Sequence, residues 1–508
     1  MGEIGSRMAS ASVILSASQL LAAAVAVVFS IITARLLGPG GYGLVNLALT
    51  YPAMLASIVD LGLSTVIARF AAANGAEGLE YVWSGIVFKL LLGLAGSLIV
   101  YLYADFFAGL LGRAELAASI RVLSLYVPAM AILGALTSAY MGFGRYALAG
   151  SVVVLQNLFR GLLATWLILA GLGVLGAVAS FTISYSALAL AYFLLSLRLF
   201  GEPRLSRSAL RVMVSMAAPL YLAAVVGILV PPFVDTLVAR EASDVVVGNY
   251  KVAMASAAPV TVIASSVSTA ALTSLPLLLS DGDSLRDSSG RASLYVSVAL
   301  SAIMLGYMAV QPWLILLLYG SGFSLATSYA NIYVAGFLAD AFFGSYIIGN
   351  HLIAVGATRW NGIIAVAKTV TVALSAVILV PAQGAMGAVL SYSLGELAGS
   401  IITYLVGRRV YDIRLDLGDS LRGLLPPLIS FTAASIAAYS IGSRLASFLV
   451  ALTVFAATYL LLLPLFVDRG IIRGLVDLLG NVAYIGRFMK VLGEAYLGLV
   501  QKINHKSA

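Results

Sequence analysis

Residues 35–62 read RLLGPGGYGLVNLALTYPAMLASIVDLG. Two long apolar runs meet here through a glycine–proline turn. Proline disfavours the helical region for the residue before it, and glycine accepts backbone angles closed to other residues, so the chain turns near Gly38 and Pro39. The run after the turn ends in Asp60, a lone carboxylate in an apolar segment, and carries Pro52 within it. A diluted echo, LVAREASDVVVGNYKVAMASAAP, occupies residues 237–259.

The apolar runs set the class. Hydrophobic residues make up 61% of the chain, charged residues 10%, and mean hydropathy is +1.05. A soluble domain carries about 25% charged residues, so this chain has too few to cover a water-facing surface. Segments of about 20 apolar residues recur, the length a helix needs to cross the hydrocarbon core. About fourteen such spans follow one another, from 12–34 to 446–467, and predict an all-α polytopic membrane protein. Barrel strands would alternate polar and apolar residues over about 10 positions, and these segments do not. Arg7 ahead of the first run resembles a signal peptide, but the run is longer than the usual apolar region of one. It is read as a retained first span.

Composition excludes several chemistries. The chain has no cysteine and two histidines, so it offers no disulfide, no thiolate or histidine-built metal site and no catalytic thiol. None of its six lysines follows a glycine, which rules out the phosphate-cradling G-x-x-x-x-G-K-[ST] loop. No soluble segment is long enough for a nucleotide-binding domain. ATP, nucleic acid, a metal and an organic cofactor are therefore not expected. The outer loops are short, with no room for the catalytic loop of a glycan ligase or polymerase. The chain is expected not to be an enzyme, and no catalytic residue is assigned.

The net charge of +8 sits in loops and reports topology. With the N-terminus inside, 20 of the 29 Lys and Arg residues fall in inside segments, six fall outside and three lie within spans. That bias places both termini in the cytoplasm and the chain in the cell membrane. The two richest inside loops, 198–212 and 408–421, mark the organisation. We read a six-helix lobe at 1–200, a second at 201–410, an extra helix pair at 411–467 and an amphipathic interfacial tail at 468–508. Repeats agree. A shift of 205 sets Ala34-Arg35 on Ala239-Arg240 and Gly43 on Gly248, a shift of 207 sets Tyr126-Val127 on Tyr333-Val334, and a shift of 208 sets Arg160 on Lys368. Each half has an even number of spans, so the halves run parallel, related by an axis along the membrane normal with a cavity expected between them.

Residues 32–70, ITARLLGPGGYGLVNLALTYPAMLASIVDLGLSTVIARF, resemble the opening of oligosaccharide flippases of the polysaccharide transporter family. That family lies in the multidrug/oligosaccharidyl-lipid/polysaccharide exporter (MOP) superfamily. Its pattern is an Arg-x-Leu-Gly-Pro turn, then Tyr-Gly, then an apolar span ending in Asp-Leu-Gly. Arg35, Leu37, Gly38, Pro39, Tyr42, Gly43, Asp60, Leu61 and Gly62 match it. The resemblance implies a two-lobed transporter that moves polyprenyl-(pyro)phosphate-linked oligosaccharide across the bilayer by alternating access, often through a cationic lumen. This chain has few lumen cations to fill that role.

Ionisable residues at membrane depth are the site candidates, because they are costly there and mark pathways and relays. Arg160, in VVVLQNLFRGLLATW, has two readings. A guanidinium forks onto phosphate oxygens, or it pairs with a carboxylate such as Asp60. Lys368 is its counterpart in the second half, as a phosphate contact or a cation that snorkels to the interface. Lys89, nearer the inner boundary behind Trp83, is expected to snorkel. Asp60, Asp340 and Glu396 are ion-coupling or charge-pairing candidates. A buried carboxylate holds a proton or Na⁺, or it neutralises Arg160 or Lys368. Asp60 also has a helix-end reading, since Gly62 follows it. Arg35 and Arg240, at matching outer ends, are outer-gate candidates with Asp235.

The expected function is translocation of lipid-linked oligosaccharide for surface polysaccharide or glycoprotein biosynthesis, with that lipid-linked glycan and membrane lipid as partners and H⁺ or Na⁺ as a possible coupling ion. The alternatives are a cation-coupled multidrug antiporter of the same superfamily, against which the extra helix pair and the opening motif count, and a membrane glycan ligase or polymerase.

Overall fold

A computed structural model describes residues 2–60, 62–73, 75–274, 285–467, 470–473, 476 and 493. Among these the chain is built from helices, with no strand. A bilayer imposes that economy, because every backbone N–H and C=O in hydrocarbon needs a partner and a helix supplies them internally. The helices are α1 (Gly2–Asp60), α2 (Leu63–Ala73), α3 (Gly75–Leu102), α4 (Ala104–Leu110), α5 (Ala117–Val122), α6 (Tyr126–Gly142), α7 (Tyr146–Leu167), α8 (Gly173–Phe200), α9 (Arg207–Glu241), α10 (Asp244–Ser274), α11 (Leu285–Leu318), α12 (Ser324–Phe342), α13 (Ser345–Ala354), α14 (Thr358–Gln383), α15 (Ala385–Val410), α16 (Leu417–Tyr439) and α17 (Arg444–Phe466).

The breaks fall where local chemistry demands them. α1 is two helical arms joined at Gly38, whose φ of 68° and ψ of 176° are non-helical. The following Pro39 disfavours a helical Gly38, and only glycine takes that angle without strain. The Ser30 and Tyr42 hydroxyls meet at 2.8 Å across the break. α1 ends at Asp60, and Gly62 turns the chain into α2 with a φ of 72°. Gly171 and Gly173 break the path from α7 to α8. α12 and α13 form one bent pair, angled by 55° at Gly344.

Ten helices among the described residues are long and apolar enough to cross a membrane, or eleven with the bent pair counted as one span. Two of them, Ile14–Ala73 and Tyr146–Phe200, each run through two of the expected spans. α9 covers the expected span at 213–234. The architecture is consistent with the expected fourteen. The tail after Val467 lies largely outside the described residues.

The chain divides into two compact units, Met1–Gly248 and Asn249–Ala508. The first packs Leu63, Ile67, Trp83, Leu136, Tyr140 and Met213 into one core. The second is centred on Val296, Leu300, Met304, Phe337, Ile347 and Phe455. Because α16 and α17 contribute Ala434 and Phe455 to it, the added helix pair is part of that core. α3 shows how a bilayer inverts the usual pattern. It buries Trp83, Ile86 and Lys89 and exposes Leu91, Leu94, Leu98 and Leu102. Lipid tails are as apolar as leucine, so helix association draws on packing and polar contacts.

Candidate functional site

Arg160, the Asp60–Lys89 pair and the Lys368–Glu396–Asp340 group place charges within the described spans. Arg160 projects from α7 toward α8 and the kinked region of α1. Its guanidinium carbon lies 4.7 Å from the centre of the Phe181 ring, a cation–π contact. Ser30, Thr33, Tyr42, Asn46, Arg160 and Phe181 line a small cleft of ≈ 60 Å³. One water needs about 10–15 Å³ of such space, so the cleft holds a few. Nε of Arg160 is buried with no hydrogen-bond partner, and no ion pair neutralises the side chain among the described residues. The Arg160–Asp60 pairing that the sequence left open does not occur. The Gly38 break creates this place by folding Ser30 and Tyr42, from opposite arms of α1, against each other.

Asp60 pairs with Lys89. The ammonium donates to Asp60 Oδ1 at 2.5 Å and to Ser64 Oγ at 2.8 Å, and Ser64 also donates to Asp60. Lys89 is 1% exposed, so it does not snorkel as expected. An aspartate reachable from within the bundle offers the ammonium a partner without a route to the interface, and removes the reason to extend outward. The pair sits where α1 ends, so the helix-end reading of Asp60 and its charge-pairing reading are both realised.

The second unit gathers Lys368, Glu396 and Asp340. Lys368 on α14 donates to Glu396 Oε2 on α15. Ser400, one turn beyond Glu396, donates to Asp340 Oδ1 at 2.5 Å and to the Glu396 carbonyl at 2.8 Å. Ser400 thus links Asp340 to the backbone of Glu396 and draws the two acidic residues into one cluster. Lys368 is 39% exposed while Glu396 is buried. One ammonium faces two carboxylates, so the cluster carries a surplus negative charge when both ionise. A proton or a monovalent cation would balance it. Asp340 stands four residues before Gly344, where the bend interrupts the helix.

The outer-gate candidates lie on α1 and α9. Arg35 is exposed on α1, and Asp235 is buried on α9. Arg240 Nε donates to the Leu110 carbonyl at 2.8 Å. Arg113 forms an ion pair near Arg240: it donates to Asp244 Oδ1 at 2.7 Å and to the Ala242 carbonyl at 2.9 Å. Sequence reasoning used Arg113 only as a topological charge. It also passed over Ser64 and Ser400, although each follows an acidic residue by four positions, the spacing that shares a helix face.

Helical spans with charges at depth, and a helix pair added to the second core, make a polytopic membrane fold that solved transporters share. The lipid II flippase MurJ in its inward closed conformation aligns with a TM-score of 0.73 at 15% identity, over 89% of this chain and 99% of that one. An inward-facing multidrug resistance transporter of the MATE family, in the MOP superfamily, aligns at 0.62 and 18% identity, over 77% and 95%. A MOP superfamily transporter from Pyrococcus furiosus aligns at 0.56 and 17% identity, over 79% and 95%. No curated protein sequence matches the chain. The family model for polysaccharide biosynthesis proteins matches residues 32–328, more than half of the chain, and the chain belongs to that family.

Proposed function

We propose that this protein flips a polyprenyl-(pyro)phosphate-linked oligosaccharide from the inner to the outer leaflet of the cell membrane by alternating access, in surface polysaccharide or glycoprotein biosynthesis. The observation that carries the reading is Arg160, a cation within a span that no carboxylate among the described residues neutralises. A guanidinium in that setting lacks its complement, and a phosphate oxygen supplies it with both charge and fork geometry. Membership of a polysaccharide biosynthesis family and the fold shared with a lipid II flippase point to the same cargo class.

In this reading Arg160 meets the lipid-linked phosphate, and Ser30, Thr33 and Asn46 offer neutral partners beside it. Lys368, a second phosphate candidate by sequence, is engaged by Glu396. With Asp340 it forms the part that responds to H⁺ or Na⁺. The lobes span 1–200 and 201–410, the extra pair 411–467, and both termini face the cytoplasm. A cation-coupled antiporter shares the fold. It would not require an unneutralised cation in the first lobe.

The test is Arg160→Ala. Membrane insertion should be unchanged, surface glycan should fall to background, and mass spectrometry should find lipid-linked glycan accumulating on the cytoplasmic side. Normal surface glycan in a correctly inserted variant would end the proposal.

A further inference from the structure

The second unit holds a cleft that the flippase reading does not use. It lies where α11, α12 and α16 meet and has a volume of ≈ 240 Å³. Met308, Pro312, Trp313, Asn331, Ser435 and Tyr439 help to line it. All three helices belong to Asn249–Ala508, so the cleft is built within one unit. α16 enters it toward Tyr439, the end away from the arginine-rich loop 408–421.

The cleft is rich in acceptors that lack donors. Asn331 Oδ1 is buried with no hydrogen-bond partner. Pro312 lies inside α11 and has no N–H, so the Met308 carbonyl, four residues back, loses its helical donor. Beside Pro312, Gln311 is fully buried with neither end of its amide paired. Such groups are costly to leave unpaired, and hydrocarbon offers them nothing. Ser435 adds a hydroxyl, and Trp313 and Tyr439 add two aromatic rings 5.1 Å apart and inclined at 65°.

This lining selects its occupant by elimination. Among the described residues no charged side chain lines the cleft, so neither an anion nor a cation finds its complement there. An acyl chain would fill the space and leave Asn331 and the Met308 carbonyl unpaired. The fitting occupant is neutral, carries O–H donors along one edge and offers an apolar face to the rings. A sugar ring has that make-up, with hydroxyls around its rim and C–H groups on its faces. Aromatic walls with a few placed polar groups are the usual build of a site for such a ligand.

We propose that this cleft binds one neutral glycosyl group, free or as the headgroup of a membrane glycolipid. Asn331 Oδ1 and the Met308 carbonyl accept its hydroxyls, and Trp313 and Tyr439 flank its ring. The site needs no phosphate, and it rests on neither Arg160 nor the flippase reading.

Native mass spectrometry of the protein released from nanodiscs tests this. The discs hold monoglucosyl, monogalactosyl and unglycosylated diacylglycerol at equal mole fraction in phosphatidylcholine. One glycosyl lipid should be retained several-fold over diacylglycerol. Asn331→Leu should abolish that preference at unchanged thermal stability, since it replaces an orphaned oxygen with an apolar group. Ser435→Ala, on another helix, should weaken the preference by a smaller factor and carries the test if Asn331→Leu does not fold. Displacement of the lipid by excess methyl glycoside would show that the sugar ring alone suffices. A preference that resists displacement would make the lipid-anchored sugar the ligand. Equal retention of glycosylated and unglycosylated lipid overturns the proposal, as does a preference that neither variant lowers. Arg160→Ala should leave the preference intact whatever it does to export, which keeps this site separate from the cargo reading.

Discussion

Lys89 and Lys368 both lie within spans, and their surroundings differ in a way that separates structure from response. Lys89, in the first unit, is 1% exposed and meets one carboxylate and one hydroxyl. Its charge is balanced, and the exposed member of the pair is Asp60, at 39%. Lys368, in the second unit, is 39% exposed and pairs with Glu396, which Ser400 links to Asp340. Its charge is outnumbered, and solvent reaches it. A balanced pair has little to gain from a passing ion, whereas a cluster with one surplus negative charge has a use for one.

The contrast predicts unequal costs. Asp60→Asn leaves Lys89 charged, buried and unpaired, and should destabilise the protein by about 3–5 kcal/mol. Denaturant titration in detergent reads this, and Lys89→Met/Asp60→Asn should recover most of the loss. A small effect in the single variant would erase the distinction between the two lysines. Ser64→Ala removes a bond to each member of the pair and should cost about 1.5–3 kcal/mol, the range for hydrogen bonds to charged groups. Lys368→Met should cost less than Asp60→Asn, because the buried carboxyl group left behind, in a cluster of two, can take up a proton in place of the ammonium. Its mark should appear in transport, as an altered dependence of glycan export on the imposed ion gradient. Stability loss as large as that of Asp60→Asn, with unaltered gradient dependence, would make the second cluster structural as well.

Much of this was legible in the chain. Spans announce themselves by length and apolarity, and Gly38-Pro39 announces its break, because both depend on residues close in sequence. Charges within spans stood out because the bilayer tolerates so few of them. Their partners were harder to read. Arg160 and Lys89 were both within a plausible reach of Asp60, and the choice between them is made by how α3 and α7 pack, which a hydropathy pattern does not encode. The bend at Gly344 was also hidden, since Ala341-Phe342-Phe343-Gly344 carries no proline and reads as a continuous apolar run. The serines were readable in principle. Asp60-x-x-x-Ser64 and Glu396-x-x-x-Ser400 repeat one spacing in both halves, and a polar residue one turn from a membrane carboxylate is a natural donor to it or to its neighbour.

The break at Gly38 carries a consequence for what the position tolerates. A Cβ added there would meet no atom within 4 Å, so space does not exclude a side chain. The backbone does: a φ of 68° with a ψ of 176° is open to glycine and costs other residues about 1–3 kcal/mol. A substitution would find relief only by re-angling the two arms of α1, and that would draw Ser30 away from Tyr42 and reshape the cleft at Arg160 without touching any residue that lines it.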